Sequence, residues 1–438
     1  MQSTTRTDSS KKRAGKNVKE NDEASIREGD RSRIVASSVL TMRNKKEDIV
    51  LPYCIGLHGD KVDYYVIHKV PNSFKYRYYD SKMCSEVMID AQGNINEAFS
   101  PLVKTAAQIK ENKLLTHKLG YNDQHSGADP SEAHSKGLLF GLERHFVWIL
   151  HSIPFFPFGE KAGYPNSGRK NGQSAVCVTV SSQKIDIYEV LTLLRHQAVA
   201  PIRSYTSENV WTFLTTPYDR DQDLVKTLSI SYPSKCNDDD VVVTMFSRNT
   251  HRAPFYCHVA NFYETDLFLN TYKVQSNNME WAGCTKDSYV PPDRRGNAMF
   301  DNGPEVFEGK RETEPDMEER HGSAVNGAQL LSWKLRRNQN WFFFTVRDHP
   351  KFHGKVWSTN REHSKLAMSP RKSVTCIGDL NAEQETNSRG GGTICLKHRF
   401  LTKAMMRQTT CAHFKPRADP LSTSCSSIDK IFEHSDFN

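Results

Sequence analysis

The sequence lacks any long hydrophobic run, and this absence excludes a transmembrane protein. Of its 438 residues, 37% are hydrophobic and 25% are charged. No stretch approaches the ~18 consecutive apolar residues of a membrane-spanning helix. No secretory leader is visible either, because the apolar patch at residues 34–42 is interrupted by two serines and flanked by arginines. At about three times the usual ~150-residue domain, the chain is long enough for two cores or one large pseudo-symmetric core.

The motif Cys-x-x-Cys is also missing, as is the glycosylation signal Asn-x-Ser/Thr. The first absence argues against zinc ribbons and thioredoxin-like redox sites. The ten cysteines are instead widely spaced. An even number at wide spacing fits disulfides in an oxidising compartment, whereas the missing leader fits buried free thiols in the cytosol. Both alternatives are open on the residues alone.

Aromatic residues are absent from the first 46 positions, the first being Tyr53. These positions hold twelve Lys/Arg against six Asp/Glu, so six of the eight net positive charges lie there. A segment with so little apolar surface cannot offset the entropy of ordering the chain. We therefore predict that residues 1–50 form a disordered basic tail. The alternative is a nucleic-acid-binding or nuclear-localisation patch around Lys11-Lys12-Arg13.

From residue 54 onward the pattern alternates between strands and helices, which is typical of an α/β fold. Two neighbouring strands are predicted at residues 61–70 and 74–78, and amphipathic helices at 96–112 and 185–196. In contrast, residues 285–327 combine proline pairs and charge runs with few apolar residues, which predicts a flexible insertion. Further strands are predicted at residues 146–153, 175–180, 241–246, 341–346, 374–380 and 393–396.

The tripeptide His-Ser-Lys occurs twice, at His134-Ser135-Lys136 and at His363-Ser364-Lys365. The looser pattern His-x-Lys is weak, because it also occurs at His349, His353 and His413. Requiring the central serine lowers the chance expectation to about 0.1 for one copy. Two copies, one in each half of the chain, therefore indicate a shared function.

These residue types are suited to chemistry at a phosphate. One imidazole can attack phosphorus as a nucleophile, and a second, protonated imidazole can supply the proton that a departing alkoxide needs. In extended segments the lysines two positions on project to the same side as their histidines, which places two ammonium groups around one phosphate. The alternative is that these are surface residues on two unrelated strands.

At this point the sequence resembles deoxyribonuclease II, a branch of the phospholipase D superfamily. The likeness covers residues 52–415 and is strongest towards both ends. Leu366, after the second motif, is a departure, since the family usually has tryptophan there. The blocks that carry the resemblance are Val62-Asp63-Tyr64-Tyr65-Val66-Ile67-His68-Lys69-Val70-Pro71, Tyr121-Asn122-Asp123-Gln124, His134-Ser135-Lys136-Gly137, Trp148-Ile149-Leu150-His151-Ser152-Ile153-Pro154, Glu362-His363-Ser364-Lys365, Gly378-Asp379-Leu380-Asn381 and Arg389-Gly390-Gly391-Gly392.

The resemblance implies an endonuclease that cuts double-stranded DNA at acid pH, without a metal or other cofactor, leaving 3′-phosphate and 5′-hydroxyl ends. It also implies an α/β fold of two pseudo-twofold phospholipase D-like halves. Each half is a mixed β-sheet flanked by helices, and one active site lies at their junction. The expected boundaries are residues 51–235 for the first half, 236–425 for the second, and 426–438 for a loose tail.

Carried over to this chain, the resemblance implies that His134 is the nucleophile, His363 the general acid, and Lys136 and Lys365 the phosphate clamps. Asn381 then becomes an amide donor to the phosphate. The alternative for Asn381 is a turn residue that follows a strand.

The same resemblance implies disulfides Cys54–Cys177, Cys376–Cys395 and Cys284–Cys411, and hence a lysosomal or secreted protein. It leaves open whether the protein is a monomer or a homodimer. Two alternatives of other classes stay open: an inactive secreted relative that binds DNA or a host molecule, and a phospholipase D-like lipid hydrolase.

Overall fold

The computed structural model describes fourteen stretches of the chain, all within the compact unit Val50–Asn438. Only the backbone is described for a few of these residues, namely 225–226, 283–284, 341–348, 407 and 409–411. The predicted tail, up to residue 49, and the predicted insertion lie outside the described residues. The described stretches are residues 50–91, 99–125, 128–129, 131–156, 170–182, 185–217, 225–236, 239–249, 255–271, 283–284, 341–348, 361–381, 389–407 and 409–411.

The first part of the chain forms a seven-stranded sheet whose neighbouring strands are all antiparallel. A two-stranded ribbon of β1 (Cys54–Ile55) and β2 (Lys61–Val62) precedes it. Sequence analysis predicts a mixed sheet here, and that prediction is wrong. Most neighbouring strands of this sheet follow one another along the chain, and such antiparallel pairs do not need the long crossovers that parallel pairs require. In sheet order the strands are β5 (Val87–Asp90), β4 (Lys75–Asp80), β3 (Tyr64–Lys69), β9 (Gln173–Ser181), β8 (His145–His151), β7 (Lys136–Gly141) and β6 (His117–Asn122).

The later part of the chain forms a nine-stranded sheet. It is antiparallel except for one parallel pair, β12 (Leu267–Asn270) with β14 (Trp341–Asp348). Its last strand, β18 (Thr409–Cys411), pairs with β14 beside the main path. The strands along that path are β10 (Val225–Tyr232), β11 (Val241–Arg248), β17 (Gly391–Lys397), β16 (Val374–Gly378), β15 (Leu366–Ser369), β12 (Leu267–Asn270), β14 (Trp341–Asp348) and β13 (Gly283–Cys284).

Alternate residues of the strands face two different cores, as the period of a strand requires. One core lies between the sheets and combines Tyr64 and Trp148 of the first sheet with Met245 and Leu396 of the second. Leu366 also belongs to this shared core, where it is 1% exposed. The other faces pack on helices, α1 (Ser100–Glu111) against the first sheet and α4 (Phe255–Tyr263) against the second.

Most of the predicted helices and strands are present, but they begin or end a few residues away from the predicted positions. The helix predicted at residues 185–196 is α2 (Ile187–Gln197), and the neighbouring strands predicted at 61–70 and 74–78 are the paired β3 and β4. Sequence analysis missed three helices: α3 (Glu208–Thr215), α4 and α5 (Arg399–Arg407). Within the described residues no helix is both long and apolar enough to cross a membrane.

Candidate active site

The two His-Ser-Lys motifs each lie directly before a strand, one in each sheet. Strand β7 begins at Lys136 and β15 begins one residue after Lys365. Both lysines are 3% exposed, while both histidines are half-buried. Lys136 lowers the pKa of Lys365, and both lysines lower the pKa of His134. The first histidine and both lysines therefore form a single cluster of interacting charges.

Each motif is held by a glycine-containing segment that leads into a strand of the other sheet. The backbone N–H of His134 donates to Gly390 O (2.9 Å), just before β17. The backbone N–H of His363 donates to Gly172 O (3.1 Å), just before β9. This reciprocal anchoring fixes the two motifs relative to each other, because each is bonded to the sheet that carries its partner.

The imidazole of His134 has a defined tautomer. Its Nδ1 lies 2.8 Å from the carbonyl oxygen of Asp379, which can only accept, so Nδ1 carries the proton. The lone pair is therefore on Nε2. Burial lowers the pKa of His134 well below its usual value, and the neighbouring Lys136 lowers it further. His134 is thus a neutral imidazole with a free lone pair even in acid, which is the form a nucleophile needs.

Asp123 neutralises part of this positive cluster. Its carboxylate forms an ion pair with Lys136, lies 3.1 Å from Arg389 Nη2, and lies 4.0 Å from His134 Nε2. Burial alone would raise its pKa, but the positive charges of Lys136 and Arg389 hold the pKa below the ordinary value. Asp123 therefore stays ionised and keeps the Lys136 ammonium in place.

The serine of each motif donates to a buried carboxyl group. Ser135 Oγ donates to Asp379 Oδ2 at 2.7 Å, and the hydroxyl of Ser364 donates to Glu362 Oε1. Burial raises the pKa of Asp379 to about 7, although the bond from Ser135 opposes the rise. Asp379 thus fixes the first motif twice, through Ser135 and through the ring of His134. In each motif the serine that forms this anchoring bond lies between the histidine and the lysine.

Lys365 is the second buried cation. Its Nζ donates to the carbonyl oxygen of its own motif histidine, His363, at 2.6 Å. Burial and the repulsion from Lys136 lower its pKa to about 7. Lys365 therefore gains or loses its proton near pH 7. Binding of a phosphate anion beside it would stabilise the protonated, charged form.

Asn381 follows Asp379 by two residues and is 7% exposed. The segment that carries it is fixed by the backbone, since Asp379 N–H donates to Gly392 O (2.9 Å) and Tyr256 Oη donates to Leu380 O (2.8 Å). Its role as an amide donor stays a prediction. Within the described residues, no three or more His, Cys, Asp or Glu side chains are grouped as metal ligands would be.

Sequence reasoning missed the residues that support the motifs: Asp123, Asp379, Arg389 and Glu362. Each of them lies inside a block that carries the family resemblance. A charged side chain within a block shared with the family is the signal that could have identified each of them.

This geometry can be compared with known proteins. The family profile of Deoxyribonuclease II matches residues 53–290 and 330–412, which include both motifs and all of the supporting residues. The chain belongs to the deoxyribonuclease II family. The predicted insertion overlaps the unmatched gap between the two segments.

Relatives of this family align over most of the chain. Deoxyribonuclease-2-alpha of Bos taurus is 24% identical over 370 residues, covering 78% of this chain and 85% of the relative. Deoxyribonuclease-2-beta of Rattus norvegicus is 26% identical over 385 residues, covering 81% and 90%. Deoxyribonuclease-2 of Caenorhabditis elegans is 25% identical over 319 residues, covering 70% of each chain.

Two of the three disulfides that the resemblance to deoxyribonuclease II implies are present, Cys54–Cys177 and Cys376–Cys395. The side chains of Cys284 and Cys411 lie outside the described part of the chain. A further bridge joins Cys84 to Cys236, and Cys257 is also disulfide-bonded. Sequence analysis left these last three cysteines without a partner.

Gly390 allows the close approach that holds the first motif. A Cβ at this position would lie 1.9 Å from the backbone oxygen of Gln197, which cannot move aside cheaply. We expect Gly390→Ala to lower the free energy of unfolding by about 1–3 kcal/mol, the usual cost of overpacking, and to reduce activity by displacing His134. Urea unfolding and DNA cleavage measure the two effects.

The control for this substitution is Gly59→Ala. Gly59 has a φ of +84°, but no atom lies within 4 Å of the position that a methyl group would take, so its substitution carries backbone strain without a clash. Its variant should keep full activity. Equal losses of activity in both variants would contradict the anchoring role of Gly390.

Proposed function

We propose that this protein is a metal-independent acid endonuclease that hydrolyses double-stranded DNA to 3′-phosphate and 5′-hydroxyl ends. The observation that carries the proposal is the convergence of His134, Lys136 and Lys365 from two sheets, in a chain of the deoxyribonuclease II family. DNA is accordingly the proposed substrate, and no cofactor is required.

In the first proposed step, Nε2 of His134 attacks the phosphorus and the bond to the 5′ oxygen breaks. His363 gives a proton to that oxygen, which leaves as the 5′-hydroxyl, while the 3′ fragment stays on His134 as a phosphohistidine. In the second step water attacks phosphorus and gives its proton to His363. The 3′-phosphate leaves and both histidines return to their starting states.

The charge that develops on the phosphate oxygens is met by the two buried ammonium groups. Lys136 and Lys365 are fixed before the substrate arrives, so they need little reorganisation in the transition state. Asn381 adds a neutral amide donor. These groups supply the stabilisation that a divalent cation provides in other nucleases.

We propose that DNA binding depends on acid pH because of two buried groups, the basic Lys365 and the acidic Asp379. Below about pH 7 Lys365 is charged and Asp379 is neutral; as the pH rises through this value each loses a proton. The net charge of the site therefore falls by two. We expect DNA affinity to weaken by roughly tenfold to 100-fold between about pH 5.5 and 8.5.

This prediction is best measured in the His363→Ala protein, which binds DNA without general-acid turnover and lacks the titration of His363 itself. The control is Asp379→Asn in the same background. Its amide oxygen can still accept from Ser135, but the residue cannot ionise, so its profile should be shallower. A pH-independent affinity in both proteins would contradict the prediction.

For the fold we propose two pseudo-twofold phospholipase D-like halves, with boundaries at residues 51–235 and 236–425 and with the site at their junction. The two sheets support a division into halves, since one is built from residues 64–181 and the other from residues 225–411, although β10 (Val225–Tyr232) of the second sheet lies before the proposed boundary. We propose the lysosome or the exterior of the cell as the location, because several disulfides are formed.

The test is nicking of supercoiled plasmid by the purified protein in EDTA at about pH 5, with folding checked by circular dichroism. Nicking that leaves 3′-phosphate ends is expected. A folded protein that binds the plasmid without nicking it would favour the inactive DNA-binding alternative. Turnover of phosphatidylcholine that exceeds turnover of DNA would favour a lipid phosphodiesterase.

A further inference from the structure

Phe155 occupies a costly conformation at the surface. Its φ is +58°, in the left-handed region that a bulky L-residue rarely adopts, and its side chain is 53% exposed. Left-handed backbone is unfavourable for a residue with a Cβ, and exposing an aromatic ring to water forfeits its burial. Both costs fall on the same residue.

A second phenylalanine shows how such strain is normally compensated. Phe99 has the same φ of +58° but is fully buried, and its ring stacks on Tyr76 at 5.3 Å. Phe155 has no comparable ring contact among the described residues. Strained residues that packing does not explain cluster at functional sites.

The turn around Phe155 is firmly anchored on both sides. Ile153 is fully buried and its N–H lies 3.2 Å from His151 Nδ1, while Phe156 is 1% exposed and packs edge-on against the His151 ring at 5.3 Å. The chain thus buries the residues on either side of Pro154 and Phe155. Among the described residues, the exposed Phe155 is thus flanked by the buried Ile153 and Phe156.

The same anchors place the turn beside the charged cluster. The carbonyl oxygen of Phe156 accepts from Asn122 Nδ2 at 3.4 Å, and Asn122 is the register partner of Lys136 on the adjacent strand. Asp123 follows Asn122 directly and forms the ion pair with Lys136. Burial lowers the pKa of His151, at the base of the turn, and the nearby Lys136 lowers it further.

We propose that Phe155 stacks on a nucleobase of the bound strand, next to the phosphate held by Lys136 and Lys365. This inference rests on the proposed function and extends it to substrate recognition. Aromatic rings stack on any base through its π-face, so the contact would favour unpaired or locally opened DNA without reading its sequence. A base at this position would cover the exposed ring and offset its strain.

The experiment measures binding of a single-stranded oligonucleotide containing 2-aminopurine, whose fluorescence is quenched on stacking. The protein is the full chain carrying His363→Ala, so that binding occurs without turnover. Phe155→Leu, which keeps an apolar side chain but loses the ring, should weaken affinity by roughly tenfold and abolish the quenching. Phe155→Tyr should retain both.

The matched control is Phe262→Leu. Phe262 is 43% exposed on α4, where its ring packs against Phe246 and Tyr263. It should bind DNA like the parent. Parental affinity and quenching in Phe155→Leu, or equal losses in Phe155→Leu and Phe262→Leu, would overturn the stacking contact while leaving plasmid nicking intact. If the unaltered protein does not nick plasmid and the His363→Ala parent does not bind DNA, the proposed function and the stacking contact are overturned together.

Discussion

Replacing His134 by alanine should abolish cleavage of every DNA substrate, whereas replacing His363 by alanine should spare substrates with a good leaving group. The nucleophile is needed whatever leaves, and its loss costs about 10⁴–10⁶-fold in comparable enzymes. A general acid contributes roughly 10²–10⁴-fold, and only where the leaving oxygen must be protonated. The measurement compares cleavage of an ordinary oligonucleotide with cleavage of a 3′-(p-nitrophenyl phosphate) ester. In the ester, p-nitrophenolate is the leaving group in place of the 5′-hydroxyl of the next nucleoside.

The controls are histidines that share the looser pattern His-x-Lys: His349→Ala, His353→Ala and His413→Ala should retain activity. Rapid quenching of the His363→Ala protein with the activated substrate should leave a phosphoryl adduct on the peptide that contains His134. An adduct on His363 in the reciprocal variant would exchange the two roles. Absence of an adduct in both would indicate direct attack by water.

Asp123→Asn should be among the most destabilising single substitutions in the described part of this protein. It keeps the shape of the side chain but leaves the buried Lys136 ammonium and Arg389 without their counter-charge. Breaking one partner of a buried ion pair typically costs about 3–5 kcal/mol. We expect a loss of this size in the free energy of unfolding at pH 7, measured with urea.

The pH dependence of this loss has a defined sign. The folded-state pKa of Asp123 is lowered, so its contribution is present above the unfolded value of about 3.9 and is lost as the pH falls through the folded value. The difference between parent and variant should therefore shrink only in strong acid.

An exposed ion pair offers the matched control. Asp60 Oδ2 lies 2.6 Å from Lys82 Nζ, but both side chains are about 40% exposed, and pairs of this kind contribute about 0–1 kcal/mol. Asp60→Asn should therefore be nearly neutral. The double variant Asp123→Asn/Lys136→Met, which removes a stranded cation as well, should recover part of the stability. Equal effects of the two single substitutions would contradict the role of Asp123.

Local patterns predicted part of the strands, whereas β5, β6, β7, β10, β12 and β15 were missed. A β-branched and aromatic run located β3, and alternation of aromatic and basic residues located β4. The repeated tripeptide located His134, Lys136 and Lys365, which the fold brings together. Helix α4 was missed because its residues are mainly aromatic or β-branched and six of its nine are buried, which removes the polar stripe of an amphipathic helix. Tertiary packing, not propensity, makes this segment helical.

The supporting shell could not be predicted for a different reason. Asp123 contacts Arg389, and Ser135 contacts Asp379, each across more than 240 positions in the chain. No periodicity relates such positions, since the contacts exist only after two sheets have packed together. The unusual turn at Phe155 was equally invisible, because nothing in a phenylalanine side chain indicates a positive φ.

The bridge between Cys84 and Cys236 has a consequence for survival among proteases. Cys84 lies between β4 and β5 of the first sheet and Cys236 between β10 and β11 of the second. A single cut between residues 84 and 177 would fall inside the loops closed by both this bridge and Cys54–Cys177. The two fragments would stay covalently joined and would separate on a gel only after reduction. A chain nicked there would thus keep both of its histidine motifs in one covalently joined molecule.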